Sequence, residues 1–184
     1  INDLSGNNNY GTVRNISKVY FDSEQNAMFF NGKNDEDATG ISINNLNYVS
    51  GPSDQLESFT IQARIKAKSE LTNHGSDERI IISFDRSAVF RLSIGSDADS
   101  GVEGKLVFGF ANEDGSHTSF NSNQSLDLRD DQWHDIAVQF KANTQNGLKL
   151  YIDGNLIHSD PNSYKPIGGQ DDNETPRSVS YTHL

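Results

Sequence analysis

Carboxylates are the side chains of this sequence whose spacing could support chemistry. Asp35 and Asp37 stand two residues apart, and Asp97 and Asp99 repeat that spacing. Hydrolysis of a glycosidic bond with retention needs two carboxyl groups about 5–5.5 Å apart, and alternate residues on one face of a strand supply that separation. Both pairs, however, lie in segments rich in small and polar residues rather than on an apolar strand. The sequence therefore predicts no catalytic pair, and we expect a protein that is not an enzyme.

The first of these acidic segments is also a candidate cation site. Ca²⁺ takes six to eight oxygen ligands and favours loops rich in Asp, Asn and backbone carbonyls. Asp35 and Asp37 fit that pattern. Asp and Asn are also the ordinary residues of polar turns, so a solvated acidic loop is the alternative interpretation. The residues alone leave both open.

Aromatic and imidazole side chains are the remaining candidates. Trp133 is the only tryptophan, and an exposed tryptophan offers an apolar platform with a polar edge. Because Trp133 stands at the start of an alternating apolar run, we expect it to be buried in the core instead. The neighbouring His134 is predicted to be structural and to position a strand end. His74, His117 and His158 are expected in or near turns, without a second histidine at ligand spacing.

The composition indicates one folded domain with a charged, loop-rich surface. Of the 184 residues, 33% are hydrophobic, and these are clustered rather than spread evenly. Asp and Glu number 26 against 15 Lys and Arg, which gives a formal net charge of -11. Such a charge repels a phosphate backbone, so we expect no nucleic-acid partner. No segment approaches the ~20 apolar residues of a membrane span, so we expect no membrane insertion.

Short runs with period-two alternation recur along the chain. Phe59–Ala67 is apolar at every odd position and polar at every even one, which predicts a strand with one face on a core. A more buried strand is predicted at Arg79–Phe84, and Asp153-Gly154 predicts a tight hairpin. Further strands are predicted where apolar residues alternate, at Phe90, Leu92 and Ile94, at Leu106, Phe108 and Phe110, at Ile136, Val138 and Phe140, and at Leu148, Leu150 and Ile152. This pattern predicts an all-β fold, a two-sheet antiparallel sandwich.

Five segments, in this order, resemble blocks of the laminin-G-like, concanavalin A-like lectin/glucanase superfamily, especially its bacterial jelly-roll branch. Asp3–Thr12 is similar to an opening of the form D-x-S-G-N-x-N-x-G-T, and Ala27–Gly32 is similar to A-L-x-F-D-G. Ser58–Ile65 is similar to F-T-I-x-A-W-V, Asp131–Val138 to G-Q-W-H-H-V-A-V, and Leu148–Gly154 to L-K-L-Y-V-D-G. The resemblance implies a jelly-roll sandwich.

The sequence also departs from this family pattern. Arg64 stands where the family usually has Trp, and Asn31 stands where it usually has Asp. After Ile167–Gly169 the family usually continues with another strand, which the following residues do not resemble. We therefore expect a domain at residues 1–177 that lacks its last strand. Residues 178–184 are predicted to be a non-native tail, because their reverse translation resembles a sequencing-library adapter.

The resemblance also implies where a calcium ion would bind. In relatives that hold calcium, the ion lies at loops on one edge of the sandwich. Asp171 and Asp172 follow Ile167–Gly169 in a segment that looks like one of these loops, and Asp85 falls near the hairpin that supplies partner ligands. Asp35 and Asp37 form the second candidate loop.

By this resemblance, the chain is expected to be a non-catalytic binding or adhesion module of a larger exported or surface protein. Its expected partner is a glycan or glycosylated surface, recognised through edge loops with calcium as a candidate cofactor, and a protein partner stays open. The expected location is extracellular or on the cell surface. Two alternatives remain: a structural spacer or interaction domain of an adhesin or virion-like protein without a sugar site, or an accessory domain of a glycoside-active enzyme.

Overall fold

The computed structural model describes residues 2–30, 40–43, 55–68, 79–84, 89–95, 101–112, 116–122 and 125–168. The regular elements in these residues are twelve β-strands, which confirms the predicted all-β fold. In chain order they are β1 (Gly11–Arg14), β2 (Val19–Asp22), β3 (Ala27–Phe30), β4 (Gly40–Ile43), β5 (Ser58–Ile65), β6 (Arg79–Phe84), β7 (Phe90–Ile94), β8 (Leu106–Ala111), β9 (His117–Asn121), β10 (His134–Lys141), β11 (Leu148–Ile152) and β12 (Asn155–Asp160).

Two four-stranded antiparallel sheets form the body of the domain. The first, here called the front sheet, has the strand order β12-β11-β10-β5, and the second, the back sheet, has the order β6-β7-β8-β9. β1 pairs with β4 and β2 pairs with β3 in two further antiparallel ladders. The β2–β3 hairpin forms one wall of the cleft described below.

The alternation predicted for β5 is present and explains how the strand pairs. Its odd positions Phe59, Ile61 and Ala63 pack against the core, while the even positions are exposed. β5 pairs antiparallel with β10, with Phe59 opposite Phe140 and Ile61 opposite Val138. Opposed residues project from the same face of a sheet, so both strands present their apolar side chains together.

The core lies between the front and back sheets. Phe59 of β5 stacks on Phe90 of β7 with ring centroids 5.3 Å apart, and Phe110 of β8 meets Phe140 of β10 edge-on at 5.8 Å. Both contacts join a front-sheet strand to a back-sheet strand, and burying one such side chain contributes about 1.5–3 kcal/mol. The residues of the two sheets that belong to this core are Ile65, Ile136, Val138, Phe140, Leu148, Leu150 and Ile152 in front strands, and Ile81, Phe90, Leu92, Ile94, Leu106, Phe108, Phe110 and Phe120 in back strands.

β11 and β12 form the tight hairpin that the Asp-Gly pair predicted. Ile152 pairs with Asn155, which leaves Asp153 and Gly154 as a two-residue loop. Their φ angles are 50° and 75°. Positive φ at both central positions is the requirement of a type I′ turn, whose twist matches that of the flanking strands. The local sequence therefore determines the register of this hairpin.

An isolated bridge ties the last described residues to the start of the front sheet. Leu56 donates its N–H to the carbonyl of Ile167 at 2.8 Å, and Ile167 donates back to Leu56 at 3.1 Å. Ile167 is 1% exposed and belongs to the core. None of the described segments forms a helix long and apolar enough to cross a lipid bilayer.

Candidate functional site

A cleft of about 730 Å³ opens between the β2–β3 hairpin and the neighbouring ends of β5 and β10. We call it the Trp133 cleft. Its lining combines the apolar residues Ala27, Met28, Phe29, Phe30, Ile65 and Trp133 with the polar residues Asp22, Gln25, Asn26, Arg64, Lys66, Lys68 and Asp131. Its volume lies within the range of roughly 300–1,000 Å³ that small-molecule sites occupy, and a mixture of aromatic walls with a few polar groups is typical of them.

Trp133 lies half-buried in this cleft rather than in the core. β10 begins one residue later, at His134, and the side chains of His134, Ile136 and Val138 are buried. Successive side chains of a strand alternate between its faces, so the residue before His134 faces away from the core. The prediction of a core tryptophan is therefore wrong. The stability lost on truncating Trp133 should be correspondingly smaller than for a core residue.

A short turn holds Trp133 in place. Asp131 adopts a φ of 61° and donates its N–H to the carbonyl of Ala67 at 3.0 Å, which fixes the turn to the end of β5. Gln132 donates its N–H to the carboxylate of Asp130 at 2.9 Å. The Cζ atom of Arg64 lies 5.8 Å from the centroid of the Trp133 ring. This separation permits a cation–π contact, and it leaves an aromatic ring with a guanidinium beside it at the cleft surface.

The opposite wall of the cleft is a second aromatic cluster. Phe29 of β3 lies against Tyr20 of β2, with ring centroids 5.0 Å apart. The Nζ atom of Lys68 lies 5.4 Å from the centroid of the Phe29 ring, so it bridges the hairpin and the chain that continues from β5. The cleft thus has an aromatic side chain on each wall and a basic side chain next to each.

His134 anchors the strand end next to the cleft. Its Nδ1 atom lies 2.9 Å from Asp153 Oδ2 and its Nε2 atom 3.1 Å from Asp130 Oδ1. Burial of the imidazole opposes its protonation and is the largest single influence on its pKa. The hydrogen bonds to Asp153 and Asp130 together outweigh it, so the pKa of His134 is raised above its ordinary value. Both ring nitrogens lie within hydrogen-bonding distance of a carboxylate, so His134 ties the start of β10 to Asp130 and Asp153, in line with the structural role predicted for it.

The remaining histidines are spread over the fold. His117 begins β9 and is exposed. His158 lies within β12, half-buried, with its ring 5.7 Å from that of Phe120, so its predicted place in or near a turn is wrong. His74 lies outside the described residues. The described part of the chain holds no cluster of three or more His, Cys, Asp or Glu that could bind a metal.

A shallower depression adjoins the cleft on the outer face of the front sheet. Its volume is about 640 Å³. Its lining residues are Thr60, Gln62, Ala63, Arg64, Asp135, Ile136, Ala137, Gln139, Tyr151 and Gly154. Arg64 lines both the depression and the cleft, so the two surfaces are continuous at that side chain.

The predicted calcium ligands lie outside the described residues. These are Asp85, Asp171 and Asp172, together with Asp35 and Asp37 of the second candidate loop. The same holds for Asp97 and Asp99, the other carboxylate pair. Calcium binding accordingly stays a prediction.

The calcium prediction has a direct thermal test. A ligand at about 100 times its dissociation constant adds roughly 2.7 kcal/mol to folded-state stability, enough to raise the midpoint of unfolding by several degrees. We expect that rise when the chain is melted in millimolar Ca²⁺ instead of excess chelator, and its loss in the variant Asp171→Asn/Asp172→Asn. A cooperative melt with the same midpoint in calcium and chelator would contradict the prediction.

The chain belongs to the concanavalin A-like lectin/glucanases superfamily. The family model matches residues 35–177, which confirms the predicted resemblance. Among curated protein sequences, none matches the chain.

Solved structures with the same fold include the following three binding domains. The binding domain of Paraclostridial Mosquitocidal Protein 1 is 18% identical with a TM-score of 0.65, over 98% of this chain and 41% of that one. The ligand binding domain of botulinum neurotoxin serotype D, in complex with N-acetylneuraminic acid, is 18% identical with a TM-score of 0.57, over 99% and 45%. The binding domain of serotype G is 15% identical with a TM-score of 0.58, over 99% and 45%. The chain spans less than half the length of these structures, and at such identities the likeness establishes the fold.

Proposed function

We propose that this chain is a non-catalytic glycan-binding module that holds its ligand in the Trp133 cleft. The observation that carries the proposal is the outward, half-buried ring of Trp133, flanked by Arg64 at 5.8 Å. A sugar ring has an apolar C–H face that can stack on an aromatic ring, while its hydroxyl groups need polar partners at the rim. The cleft supplies both kinds of surface side by side.

Its polar groups are suited to hydrogen bonding with hydroxyl groups. Gln25 and Asn26 present amides that both donate and accept, and Asp131 presents a carboxylate that accepts. The depression beyond Arg64 adds Gln62, Gln139 and other polar residues. A ligand longer than one sugar would therefore extend from the cleft onto the front sheet.

The fold and the comparisons support the class of binding domains rather than that of catalytic domains. Two solved structures with this fold are described as binding domains, one of them in complex with N-acetylneuraminic acid. The cleft carboxylate Asp131 is 57% exposed and lies 3.6 Å from Lys66, an arrangement suited to a surface contact rather than to a general acid in an apolar pocket. We place the module in a larger exported or surface protein, with its target on a cell surface, matrix or particle.

The substitution Trp133→Ala tests this function. An aromatic anchor at the centre of a site is worth about 2 kcal/mol or more, so we expect glycan affinity to fall roughly 30-fold or more, measured by calorimetry with a ligand found on a glycan array. Trp133→Phe should retain a substantial part of the affinity, because it keeps an aromatic platform.

Phe21→Ala is the matched control. Phe21 is an aromatic residue of the β2–β3 hairpin that is 58% exposed and is not among the residues that line the cleft. We expect its replacement to leave the affinity unchanged. Equal binding by the native chain and Trp133→Ala would contradict the proposed site. A folded chain that binds no glycan would favour a structural spacer instead.

A further inference from the structure

Three basic side chains project from one face of the chain at the end of β5. Arg64, Lys66 and Lys68 alternate with Ile65 and Ala67, which are 2% and 0% exposed. Since alternate residues of an extended chain share a face, the three basic residues all point away from the core. All three line the Trp133 cleft. They form a row of positively charged residues along one side of the chain, which we call the basic row.

The basic row stands out against the charge of the whole chain. The chain carries 26 Asp and Glu against 15 Lys and Arg, yet among the residues that the structure describes, the charged ones lining the cleft are the three members of the row, Asp22 and Asp131. This described lining therefore has an excess of one positive charge within a protein of formal charge -11. Opposite local charge of this kind favours a negatively charged ligand at that place.

The two ion pairs and the cation–π contact that the basic row makes are weak enough to be replaced by contacts with a ligand. Lys66 Nζ lies 3.6 Å from Asp131 Oδ1, and Arg64 Nε lies 3.9 Å from Asp135 Oδ1. In the second pair both side chains are 66% exposed, and exposed pairs contribute only about 0–1 kcal/mol. The ammonium group of Lys68 lies over the ring of Phe29, and its remaining N–H groups can donate to an acceptor on a ligand.

From these observations we infer that the ligand of the Trp133 cleft is an acidic glycan, whose sugar carries a carboxylate or a sulfate. The inference rests on the proposed glycan-binding function and adds the chemical class of the ligand. The apolar face of the sugar stacks on Trp133, and its anionic group contacts Lys66 and Lys68. A carboxylate and a sulfate share the oxygen acceptors that ammonium and guanidinium groups prefer.

The negative charge of the remaining surface does not prevent this contact. At physiological ionic strength the Debye length is about 8 Å, so carboxylates farther than this from the ligand are largely screened, whereas the basic row makes direct contact. A nucleic acid would also offer bases to stack and phosphates to pair. Its dense charge is opposed by the -11 of the chain over a long contact, so a glycan with spaced charges fits better.

The test compares matched ligands on the whole chain in 0.15 M NaCl. Oligogalacturonate and its methyl ester differ only in the free carboxylate, and sulfated and unsulfated dextran oligosaccharides supply the sulfate arm. We expect one of the acidic members to bind at least 10-fold more tightly than its neutral partner. The advantage should shrink in 0.5 M NaCl, because screening weakens charge contacts. The arm with the larger ratio identifies the anionic group.

The variant Lys66→Gln/Lys68→Gln should reduce the acidic-to-neutral ratio to below about 3-fold while the thermal midpoint stays within a few degrees of the native value. Lys141→Gln is the control, since Lys141 is exposed at the opposite end of β10 from Trp133, about 23 Å along the strand from His134. We expect it to leave the ratio unchanged.

Each contrary result has its own meaning. Equal binding of acidic and neutral ligands that still requires Trp133 would overturn the acidic class and leave the glycan site standing. Tight acidic binding unaffected by Trp133→Ala or by the double lysine variant would place the contact elsewhere and overturn the inference. Oligothymidylate binding more tightly than either acidic glycan would also overturn it. Absence of binding to every glycan would overturn both the inference and the proposed function.

Discussion

Replacing Phe108 by alanine should lower the free energy of unfolding by about 3–5 kcal/mol. Phe108 lies in the middle of β8, is 0% exposed, and has its ring 6.0–6.1 Å from those of Phe59, Phe90 and Phe110. Truncation removes its buried apolar surface and also leaves a cavity, because neighbours from both sheets relax only in part. With total stabilities of about 5–15 kcal/mol for ordinary domains, this is a large fraction.

Urea unfolding followed by circular dichroism measures the effect as a shift in midpoint. Phe108→Leu retains much of the apolar volume and provides a measurable variant if the alanine protein is unfolded at all urea concentrations. Phe21→Ala is the surface control, expected within about 0.5 kcal/mol of the native chain, since Phe21 is 58% exposed. A loss for Phe108→Ala no larger than that of the control would contradict the position of the core.

The strands could be predicted from the sequence because their signals are local. In β5 the alternation of Phe59, Ile61 and Ala63 with polar residues fixes which face meets the core, and burial follows that pattern. The Asp153-Gly154 pair likewise contains its own turn chemistry, and its two positive φ angles agree with it. A period-two pattern and a two-residue turn need no information from the rest of the chain.

The cleft could not be predicted in this way, since it joins segments far apart in the chain. Phe29 and Trp133 stand on opposite walls, and nothing near either residue in sequence indicates the other. The outward direction of Arg64 and Lys66, by contrast, follows from the sequence, because the odd positions of Phe59–Ala67 are apolar. The sequence pattern does not show which other segment of the chain these two side chains face.

The outward direction of Trp133 was also present in the sequence. Ile136, Val138 and Phe140 set the buried positions of β10 to even numbers, so an odd-numbered neighbour extended in phase with them faces outward. The expectation of burial rested on the place of Trp133 at the start of the apolar run and left out this phase. The alternation of buried positions in β10 therefore predicts the direction of Trp133 better than its place in the run does. The outward direction of this tryptophan is the feature that carries the proposed function.

Replacing His134 by glutamine should destabilise the chain in a manner that depends on pH. The native imidazole is 6% exposed and contacts two carboxylates, at 2.9 and 3.1 Å. Losing both charged contacts should cost about 1–2 kcal/mol near pH 5.5, at the lower end for charged hydrogen bonds because Asp130 and Asp153 are partly exposed. Urea unfolding of the native chain and the variant at several pH values measures the difference.

The sign of the pH dependence follows from the direction of each pKa shift. The pKa of His134 is raised, so its contribution is fully present below the ordinary value of about 6.5 and is lost as the pH rises through the raised value. The pKa of Asp153 is lowered, first by the hydrogen bond to His134 and then by the Asp135 backbone N–H, so its contribution is lost only as the pH falls below about 3.8. The bridge is therefore complete between about pH 4 and pH 6.5.

The cost of His134→Gln should accordingly be largest within that window and smaller at pH 9. His117→Gln is the control, because His117 is an exposed histidine at the start of β9, and its replacement should change the stability by no more than about 0.5 kcal/mol. An equal loss at pH 5.5 and pH 9 for His134→Gln would contradict a charged bridge. Since this bridge anchors the turn that presents Trp133, the variant should also weaken glycan binding, by less than Trp133→Ala does. The stability of the strand end and the geometry of the cleft are thus coupled through one side chain.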